Sequence, residues 1–387
     1  MRKYIALGLI TIVLVAGVVY FSRTTASPPI DPRLIEADND FAFRLYKEIA
    51  KKDGDRNIFI SPISIVLALQ MTCNGASGSV KEEMAKVLGI QGMTLNTVNM
   101  SNAGLFSVLA NPGQGTELNI ANSLWTNEKL VPEFKESMRQ LYAAEMGPLN
   151  LNAINAWVSD ETKGKIKKML QSIDPKTIVM LVNAIYFKGE WKAKFDQRYT
   201  EDMHFQIESG KDKYVPMMYQ KSKFAFMHGD QVSAIRLPYG HARLSMYIFL
   251  PRSLSSFLAG LNAKDWDTWM SSFGHEEDAE IYIPKFKLEY GNELKKQLMA
   301  MGMVEAFEGT DFANMLGGDG AWISEVKHKA VVVVNEEGTE AAAATAAAVT
   351  AGGPPLFMVD HPFFFVIRDD KTGLILFMGS VTDPTKQ

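Results

Sequence analysis

The feature that most restricts the fold of this chain is a stretch almost free of large side chains. It spans residues 338–356 and reads GTEAAAATAAAVTAGGPPL. It lies between two segments with strand character and has nothing with which to build a core. Alanine has a high helix propensity, so a short helix or a flexible surface linker is an ordinary interpretation. A loop of this length inside a folded domain is uncommon, however, and is usually functional.

The first half of this stretch has a distinctive face when it is read with the period of a β-strand. Thr339, Ala341, Ala343 and Thr345 fall on one side. That side carries no charge and no bulky group, so the segment could enter a sheet between existing strands without a steric or desolvation penalty. The pattern predicts a loop that can become a strand.

Helical periodicity dominates the early part of the chain. An amphipathic helix is predicted from near Arg33, and an apolar helix that is normally buried is predicted at 63–73. Ser79 and Glu82 form a capping-box pattern that predicts the start of a third helix, which stops at Gly89.

Strand character takes over in the second half, and the whole is α+β. A turn at 369–373 joins the last two strands into a hairpin. No linker rich in Pro, Gly or Ser and no repeat divides the chain, so we expect one large domain over 27–387. The predicted strands are TIVMLVNAIYFKG, RLSMYIFLP, AEIYIPKFKLE, AWISEVKHKAVVVVNEE, FFFVIRD and GLILFMGSV.

Composition excludes several function classes. The chain has 40 Lys and Arg against 44 Asp and Glu, a net charge of −4, which argues against a nucleic-acid-binding protein. Its single cysteine, Cys73, excludes an intramolecular disulfide framework and any multi-thiolate metal site. We expect no metal and no cofactor.

The first 26 residues read as a signal peptide or a membrane anchor. Arg2 and Lys3 precede an apolar run over 4–21, which is long for a cleavable core and just long enough for a membrane span. Thr24 and Ala26 offer a small-x-small cleavage pattern and favour cleavage. Either outcome places the remainder outside the cytoplasm, secreted or tethered at the membrane.

Several long motifs resemble the serpin family in the family's order. NEEGTEAAAAT at 335–345 is similar to the reactive-loop hinge of the inhibitory serpins, the class whose loop-into-sheet insertion is a known recognition mode. The other motifs are NIFISPISIVLAL with NGASGSV at 57–80, LVNAIYFKGEW at 181–191, VKHKAVVVVNEEGTE at 326–340 and DHPFFFVIRDDKTGLILFMGSVTDP at 360–384. The resemblance implies the serpin fold, with helices around a central, mostly antiparallel sheet, smaller sheets, and an exposed reactive loop at about 336–356.

The resemblance also assigns roles to individual residues. It implies a polar "shutter" beneath the point where the central strands part, and a "breach" region at the loop base. In the breach, Lys285 is expected to form a salt bridge with Glu336, close to Trp191. The shutter residues are Ser61, Ser64, Asn183 and His328, and the hinge residues are Glu336, Gly338, Thr339, Ala341, Ala343 and Thr345.

The function that the resemblance implies is suicide inhibition of a serine or cysteine protease by a monomeric protein that is not itself an enzyme. The protease would form a covalent acyl complex with the loop, which would then insert. Counting from the hinge puts the cleaved bond after Gly352, whereas counting back from Pro362 puts it after Ala351, with Gly353 following. These small residues imply an elastase-like or subtilisin-like target.

Two alternatives remain beside inhibition. Ser324 and Lys327 form an S-x-x-K pattern, and 371–373 read K-T-G, as in β-lactamases, but no S-D-N lies between them. The stronger alternative is a non-inhibitory serpin that acts as a binding or chaperone-like protein. Such members usually carry charged residues or proline in the hinge, whereas this chain keeps Gly338, Thr339 and an alanine run.

Overall fold

The computed structural model describes residues 28–207, 210–317, 320–339 and 355–386. Within these residues eleven α-helices alternate with fifteen β-strands. The helices are α1 (Pro32–Asp53), α2 (Pro62–Cys73), α3 (Gly78–Val87), α4 (Leu95–Leu109), α5 (Pro132–Tyr142), α6 (Leu151–Glu161), α7 (Leu254–Gly260), α8 (Ala263–Ser271), α9 (Lys295–Ala300), α10 (Glu305–Glu308) and α11 (Ala313–Leu316).

The strands fall into a six-stranded sheet, called here the central sheet, and a nine-stranded second sheet. A short 3₁₀ helix, η1 (Gln197–Tyr199), precedes β5. The strands are β1 (Ile58–Ile60), β2 (Thr116–Thr126), β3 (Glu145–Gly147), β4 (Val179–Glu190), β5 (Glu201–Gln206), β6 (Asp212–Met227), β7 (Val232–Pro238), β8 (Leu244–Pro251), β9 (Glu277–Pro284), β10 (Phe286–Glu293), β11 (Ile323–Val334), β12 (Gly338–Thr339), β13 (Leu356–Met358), β14 (Phe363–Asp369) and β15 (Ile375–Val381).

The central sheet is mixed and has the order β10-β11-β4-β2-β3, with β12 paired to β4 outside this path. β10 pairs antiparallel with β11, and β4 pairs antiparallel with β2. β11 and β4, however, run parallel. A parallel pair cannot be joined by a short turn, and the chain between β4 and β11 accordingly builds much of the second sheet.

The second sheet has the order β1-β15-β14-β8-β7-β6-β9-β13, and β5 pairs with β6. The smaller sheets expected from the sequence are joined into this one sheet by β6, which pairs with β5 and β9 over its first part and with β7 near its end. The predicted terminal hairpin is confirmed: β14 and β15 pair antiparallel, and the backbone N–H of Gly373 donates to the Asp369 carbonyl at 2.8 Å in the turn.

Both faces of β4, in the middle of the central sheet, are buried, as its poorly alternating sequence predicted. On one face, Leu181, Ile185 and Phe187 of β4 join the main core, which includes the whole of α2. On the other face, the neighbouring side chains of β4 join a smaller core with Ile154 and Val158 of α6. The β4 side chains in this smaller core are Met180, Val182 and Ala184.

Two details of the sequence prediction are wrong. Helix α3 begins at Gly78 after Ser77, so the Ser79–Glu82 capping box does not open it. The start lies earlier because the Ser77 carbonyl already accepts the first helical hydrogen bond from Lys81, while the Ser77 N–H is held by the Asp311 carbonyl at 2.8 Å. The helix ends next to Gly89, as predicted, because Gly89 has a φ of +70°.

The second error concerns AEIYIPKFKLE, which forms two strands in different sheets. β9 ends at Pro284 and β10 begins at Phe286. Lys285 lies between them, and its backbone N–H donates to the Pro216 carbonyl at 2.9 Å. Pro284 lacks a backbone N–H, and this is the local signal that could have indicated the break.

Among the helices in the described part of the chain, none is long and apolar enough to cross a membrane. The segment 1–26, for which the sequence predicts a signal peptide or an anchor, lies outside the described residues.

Candidate functional site

The base of the predicted reactive loop is a tight turn that leads from β11 into β12. Asn335 and Gly338 exchange backbone hydrogen bonds of 3.0 and 3.2 Å across this turn. The chain then pairs antiparallel with β4, with Gly338 opposite Glu190 and Thr339 opposite Gly189. The loop therefore enters the central sheet at Gly338 and Thr339. The predicted site residues Ala341, Ala343, Thr345, Ala351, Gly352 and Gly353 lie outside the described residues.

Gly338 is required at this position by space and by backbone conformation. Its φ is +138°, a region that side-chain-bearing residues rarely adopt. A Cβ atom built on it would lie 2.1 Å from the Gly189 carbonyl oxygen and 2.6 Å from the Cα of Glu190. Any side chain at Gly338 would therefore push β12 away from β4.

Glu336, in the turn before β12, is almost fully buried and forms the predicted ion pair. The Lys285 ammonium lies 2.9 Å from its carboxylate, and the Thr200 hydroxyl donates to Oε1 at 2.8 Å. Burial alone would raise the pKa of Glu336, but the hydrogen bonds from Lys285 and Thr200 outweigh it and hold the pKa below its ordinary value. The carboxylate is thus ionised at neutral pH. Its ion pair with Lys285 joins the base of the loop to the residue that immediately precedes β10.

Trp191 closes the turn from the β4 side. Its indole N–H donates to the Asn335 carbonyl at 2.9 Å, and its backbone N–H donates to the Glu337 carbonyl at 2.9 Å. The indole stacks on Tyr239 with ring centroids 4.5 Å apart. Trp191 and Lys285 were predicted at this site from the sequence. Thr200 and Tyr239 were not predicted, because neither lies in a recognisable motif and the fold brings them to Glu336 and Trp191 from other segments of the chain.

The four predicted shutter residues meet in one buried cluster. Asn183 is its centre: its Oδ1 accepts from His328 Nδ1 at 2.8 Å and from the Ser64 hydroxyl. Its Nδ2 donates to the Ser64 carbonyl at 3.0 Å. The Ser61 hydroxyl donates to the Leu376 carbonyl of β15 at 2.7 Å. The cluster thus ties β4 and β11 to α2 and to the second sheet.

The tautomer of His328 follows from its two partners. A backbone N–H can only donate, and that of Ser61 points to His328 Nε2 at 3.1 Å. Nε2 is therefore unprotonated, and Nδ1 carries the hydrogen that it donates to Asn183. Complete burial lowers the pKa of His328 from 6.5 to about 3, so the ring is neutral at physiological pH.

Asn122 of β2 is a member of this cluster that the sequence analysis missed. Its Oδ1 accepts from Asn183 Nδ2 at 2.6 Å. Asn122, Asn183 and His328 lie opposite one another on β2, β4 and β11, so the three strands present one row of polar side chains. β2 alternates Leu118, Ile120 and Leu124 with polar residues, and this period of two is the signal that could have indicated the strand.

Above this row, β4 and β11 part. Within the described residues their paired register begins at Val179 and Ile323 and ends at Ile185 and Ala330. The remaining five residues of β4 up to Glu190 no longer face β11, and the end of this free edge is where β12 binds. The gap at the top of the central sheet therefore already contains the start of the predicted loop.

The residues behind the β-lactamase alternative do not form one site. The Ser324 hydroxyl accepts from the Ile178 backbone N–H at 2.9 Å, and Lys327 pairs with Glu325. Both lie on β11 of the central sheet. The K-T-G residues at 371–373 form the hairpin turn of the second sheet, where the Thr372 hydroxyl donates to Asp369 at 3.0 Å.

Comparison with known proteins agrees with this architecture. The family described as "Serpin (serine protease inhibitor)" matches residues 36–384. The leukocyte elastase inhibitor of Xenopus laevis is 37% identical over 385 residues and covers 91% of this chain and 99% of the relative. Human serpin B8 is 36% identical over 374 residues, with coverage of 91% and 99%. The crystal structure of tengpin, a thermophilic serpin in the native state, has a TM-score of 0.85 at 28% identity and covers 93% of this chain and 96% of its own.

Proposed function

Because this chain belongs to the serpin family of serine protease inhibitors, we propose that it is a suicide-type inhibitor whose reactive loop inserts between β4 and β11 after cleavage. The observation that carries the proposal is the parting of β4 and β11 above the shutter, together with the pairing of β12 inside the gap. A sheet that is open at one end and already holds Gly338 and Thr339 of the loop is prepared to accept the rest.

The strand register supports a specific path for the loop. Thr339 lies opposite Gly189 on β4, so an antiparallel strand that continues from it brings Thr345 opposite Asn183. On the other side, Gly338 is bridged antiparallel to Asn335, which directly follows β11. The same register continued down β11 brings Thr345 opposite His328. Asn183 and His328 already face each other across the closed sheet. The two strands therefore need to separate sideways, without sliding, for Thr345 to enter between them.

The same register decides which way each loop residue would point. Residues directly opposite in neighbouring strands share a face. Ala341, Ala343 and Thr345 would therefore point into the main core with Phe187, Ile185 and Asn183. The sequence supplies only small side chains at these three positions, so they could enter the core with little steric conflict. Glu340 would point to the other face beside Lys188, an opposite-charge pair that favours this register.

The chemical step belongs to the protease. Its active-site nucleophile would attack the carbonyl of Ala351 or Gly352, the peptide C–N bond would break, and the following glycine nitrogen would leave with a proton. The ester that remains joins the two proteins. Insertion would then drag the protease along and distort its oxyanion hole, which slows hydrolysis of the ester because the preorganised donors are lost.

The small residues at the candidate cleavage site support a protease with a shallow primary pocket, elastase-like or subtilisin-like. No Arg or Lys occurs between Gly338 and Asp360, which argues against a trypsin-like target. The leukocyte elastase inhibitor among the relatives is named for a target of the same kind. We propose that the chain acts as a monomer with a serine protease as its covalent partner and with no nucleic-acid partner.

The test is to incubate residues 27–387 with pancreatic elastase, subtilisin and trypsin and to look for a covalent complex on a denaturing gel. The mass of the released C-terminal peptide decides between cleavage after Ala351 and after Gly352. We expect a stable complex with elastase or subtilisin and a large rise in the melting temperature of the cleaved protein. Cleavage with neither a complex nor a rise would favour the non-inhibitory, binding or chaperone-like alternative.

A matched pair of loop variants tests the insertion path. Thr345→Arg should convert the inhibitor into a substrate, because the guanidinium would be buried beside Asn183 and His328 without a counter-charge. Thr345→Ser keeps a small hydroxyl and should leave the stoichiometry of inhibition unchanged. Thr339→Arg should act as Thr345→Arg does, since insertion begins there. If Thr345→Arg trapped elastase as efficiently as the Ser variant, the proposed register would be wrong.

We further propose that residues 1–26 carry the domain out of the cytoplasm. Support comes from Arg2 and Lys3 before the apolar run over 4–21, together with the small residues Thr24 and Ala26. N-terminal sequencing of the full chain expressed in cells, after separation of medium, membranes and cytosol, checks this. A product that starts at Ser27 in the medium means cleavage, and an intact chain in membranes means an anchor. An intact chain in the cytosol would contradict the proposal.

A further inference from the structure

A small pocket lies beside the base of the reactive loop, under the segment that follows β4. Residues 191–195 lie against the second sheet there: the Lys192 N–H donates to the Pro238 carbonyl at 2.9 Å, and the Gln220 side-chain amide donates to the Ala193 carbonyl at 2.8 Å. A space of about 270 Å³ remains between this segment, β6 and the end of β7. We call it the Trp191 pocket and define it by its main lining residues: Trp191, Phe195, Phe224, Leu237, Lys192 and Lys223.

The apolar wall of the Trp191 pocket is already in place. Trp191, Phe195 and Phe224 are buried, and so is Leu237. Trp191 stacks on Tyr239 with ring planes 9° apart, and Phe195 meets the Trp191 ring edge-on at 6.2 Å. Side chains packed in this way need no rearrangement to receive a ligand, and aromatic walls favour another ring. An apolar cavity of about 150 Å³ holds benzene, so this pocket is large enough for one or two fused rings.

The polar groups of the pocket carry unpaired positive charge. Lys192 and Lys223 are exposed side chains in the lining, and Ser222 lies next to Lys223. Within the described residues, none of these three side chains has a hydrogen-bond or ion-pair partner. Glu276 is the one carboxylate in the lining, so two ammonium groups stand against a single negative charge. Two ammonium groups and a hydroxyl can together donate to a carboxylate.

A larger groove at the lower edge of the central sheet shows why the unpaired lysines matter. It has a volume of about 600 Å³ and is lined by four cations. Three of the four already pair with carboxylates, so little charge is left for a ligand. The pairs are Arg56–Asp53, Lys327–Glu325 and Lys329–Glu289, at 2.5–2.6 Å. The Trp191 pocket is smaller, but its two lysines have no such partners in the described part of the chain.

The side chains that line the pocket belong to residues that also hold the loop base. The Trp191 indole donates to the Asn335 carbonyl at 2.9 Å, and the Phe195 backbone N–H donates to the Glu336 carbonyl at 2.9 Å. An occupant would therefore rest against the same segment that fixes the turn between β11 and β12. The pocket is separate from the gap between β4 and β11, because its other walls come from β6 and β7.

We propose that the Trp191 pocket is a binding site for a small aromatic carboxylate. The ring lies against Trp191, Phe195 and Phe224, and the carboxylate accepts from the ammonium groups of Lys192 and Lys223. The aromatic wall selects a flat apolar body, and the unpaired lysines select a negative charge over a neutral or positive one. Binding is noncovalent. The proposal does not depend on the inhibitory function, because it requires neither cleavage nor insertion of the loop.

The experiment measures binding to residues 27–387 by isothermal titration calorimetry, in the absence of any protease. Three probes share one ring system and differ in charge: 2-naphthoate, 2-naphthalenemethanol and 2-naphthylmethylamine. We expect a Kd of about 0.1–1 mM for naphthoate, as suits a ligand of this size. The neutral alcohol should bind at least about fivefold more weakly, and the amine more weakly still, because neither can accept from two ammonium groups.

Three double variants locate the site. Lys192→Gln with Lys223→Gln should weaken naphthoate binding at least about fivefold, whereas Lys192→Arg with Lys223→Arg keeps the charge and should stay within about twofold. Lys211→Gln with Lys264→Gln removes the same net charge from exposed positions outside the pocket and should also stay within about twofold. Thermal unfolding of each variant checks that the fold is intact.

Two results would overturn the inference. One is the absence of measurable naphthoate binding up to about 10 mM, well above the expected Kd. The other is equal binding of naphthoate by the original chain and by the Lys192→Gln, Lys223→Gln variant, which would place the naphthoate elsewhere. Either result leaves the inhibitory function untouched, and a chain that traps no protease could still bind naphthoate in this pocket.

Discussion

The lower and upper halves of the β4–β11 pair are built in opposite ways. In the lower half the strands are joined by backbone pairing and by the neutral, fully buried cluster around Asn183 and His328. In the upper half they part, and the loop base is held by the Lys285–Glu336 ion pair and the Trp191 indole. Gly338, which has no side chain, lets the loop approach the backbone of β4. The lower half resists opening with hydrogen bonds that a new strand can take over. The upper half holds β12, from which the new strand would continue into the sheet.

The largest effect should come from the lower half. Asn183→Ala removes the acceptor of His328 Nδ1 and the donor to Asn122 Oδ1 and leaves both groups buried. Each unpaired buried group costs about 1–3 kcal/mol, so we expect a loss of about 2–6 kcal/mol in the free energy of unfolding. Denaturant unfolding measures it. Asn119→Ala on the neighbouring strand removes an amide whose partner among the described residues is Glu161, and it serves as the matched control. An equal loss in both variants would contradict the special role of the cluster.

Acidification should also act through the lower half. The native pKa of His328, about 3, lies below its ordinary value of 6.5, so the unfolded chain binds more protons between these limits. The stability that the neutral ring contributes is therefore complete above about pH 6.5 and is lost as the pH falls towards 3, by up to about 1.4 kcal/mol per pH unit.

The measurement is the free energy of unfolding against pH for the original chain and for His328→Gln. The Gln amide oxygen can still accept from Ser61 but does not titrate. The difference between the two curves should change across pH 6.5 to 3 and should be constant above it. Parallel curves throughout this window would exclude His328 as the titrating group.

In the upper half, Gly338→Ala should release β12 from β4. The added Cβ meets the Gly189 carbonyl, and the positive φ adds backbone strain, so we expect a loss of about 1–3 kcal/mol in the pairing of the loop base. The stoichiometry of inhibition should rise because insertion starts there. Gly260→Ala is the control, since a Cβ at Gly260 meets nothing within 4 Å. Unchanged stoichiometry for Gly338→Ala would mean that β12 is not the starting point of insertion.

The smallest effect, about 1 kcal/mol, is expected for Lys285→Ala, because the Lys285 side chain is about one-third exposed and solvent screens the pair. A matched ion pair exists elsewhere: Lys213 lies 2.6 Å from Asp383, and the exposed fractions of the two side chains are nearly the same. Lys213→Ala should lower the free energy of unfolding by a similar amount. Only Lys285→Ala should alter the rate at which the loop inserts. That rate is measured as the rise in thermal stability with time after cleavage. If both variants changed the insertion rate equally, the Lys285–Glu336 ion pair would contribute to stability only and not to insertion.

The sequence predicted those parts of the site that are carried by contiguous motifs. The buried helix α2 supplies Ser64, and the turn after β11 supplies Glu336 and Gly338, so each motif fixes its own local geometry. Asn122, Thr200 and Tyr239 were missed because their roles depend on strands brought together from distant segments. Asn122 interrupts the apolar face of β2 with a polar residue, which weakened the strand signal there, and Thr200 lies in an irregular connection. Lys285 was predicted as a partner, but the break between β9 and β10 that positions it was overlooked despite Pro284.

β4 and β11 run parallel, and parallel ladders are slightly less stable per residue than antiparallel ones because their hydrogen bonds are slanted. A strand that continues from β12 would run antiparallel to both neighbours. Its entry would exchange one slanted ladder for two perpendicular ones. The uncleaved molecule therefore keeps its less stable kind of ladder at the place where it must open, and breaking a single loop bond gives the chain the freedom to replace it.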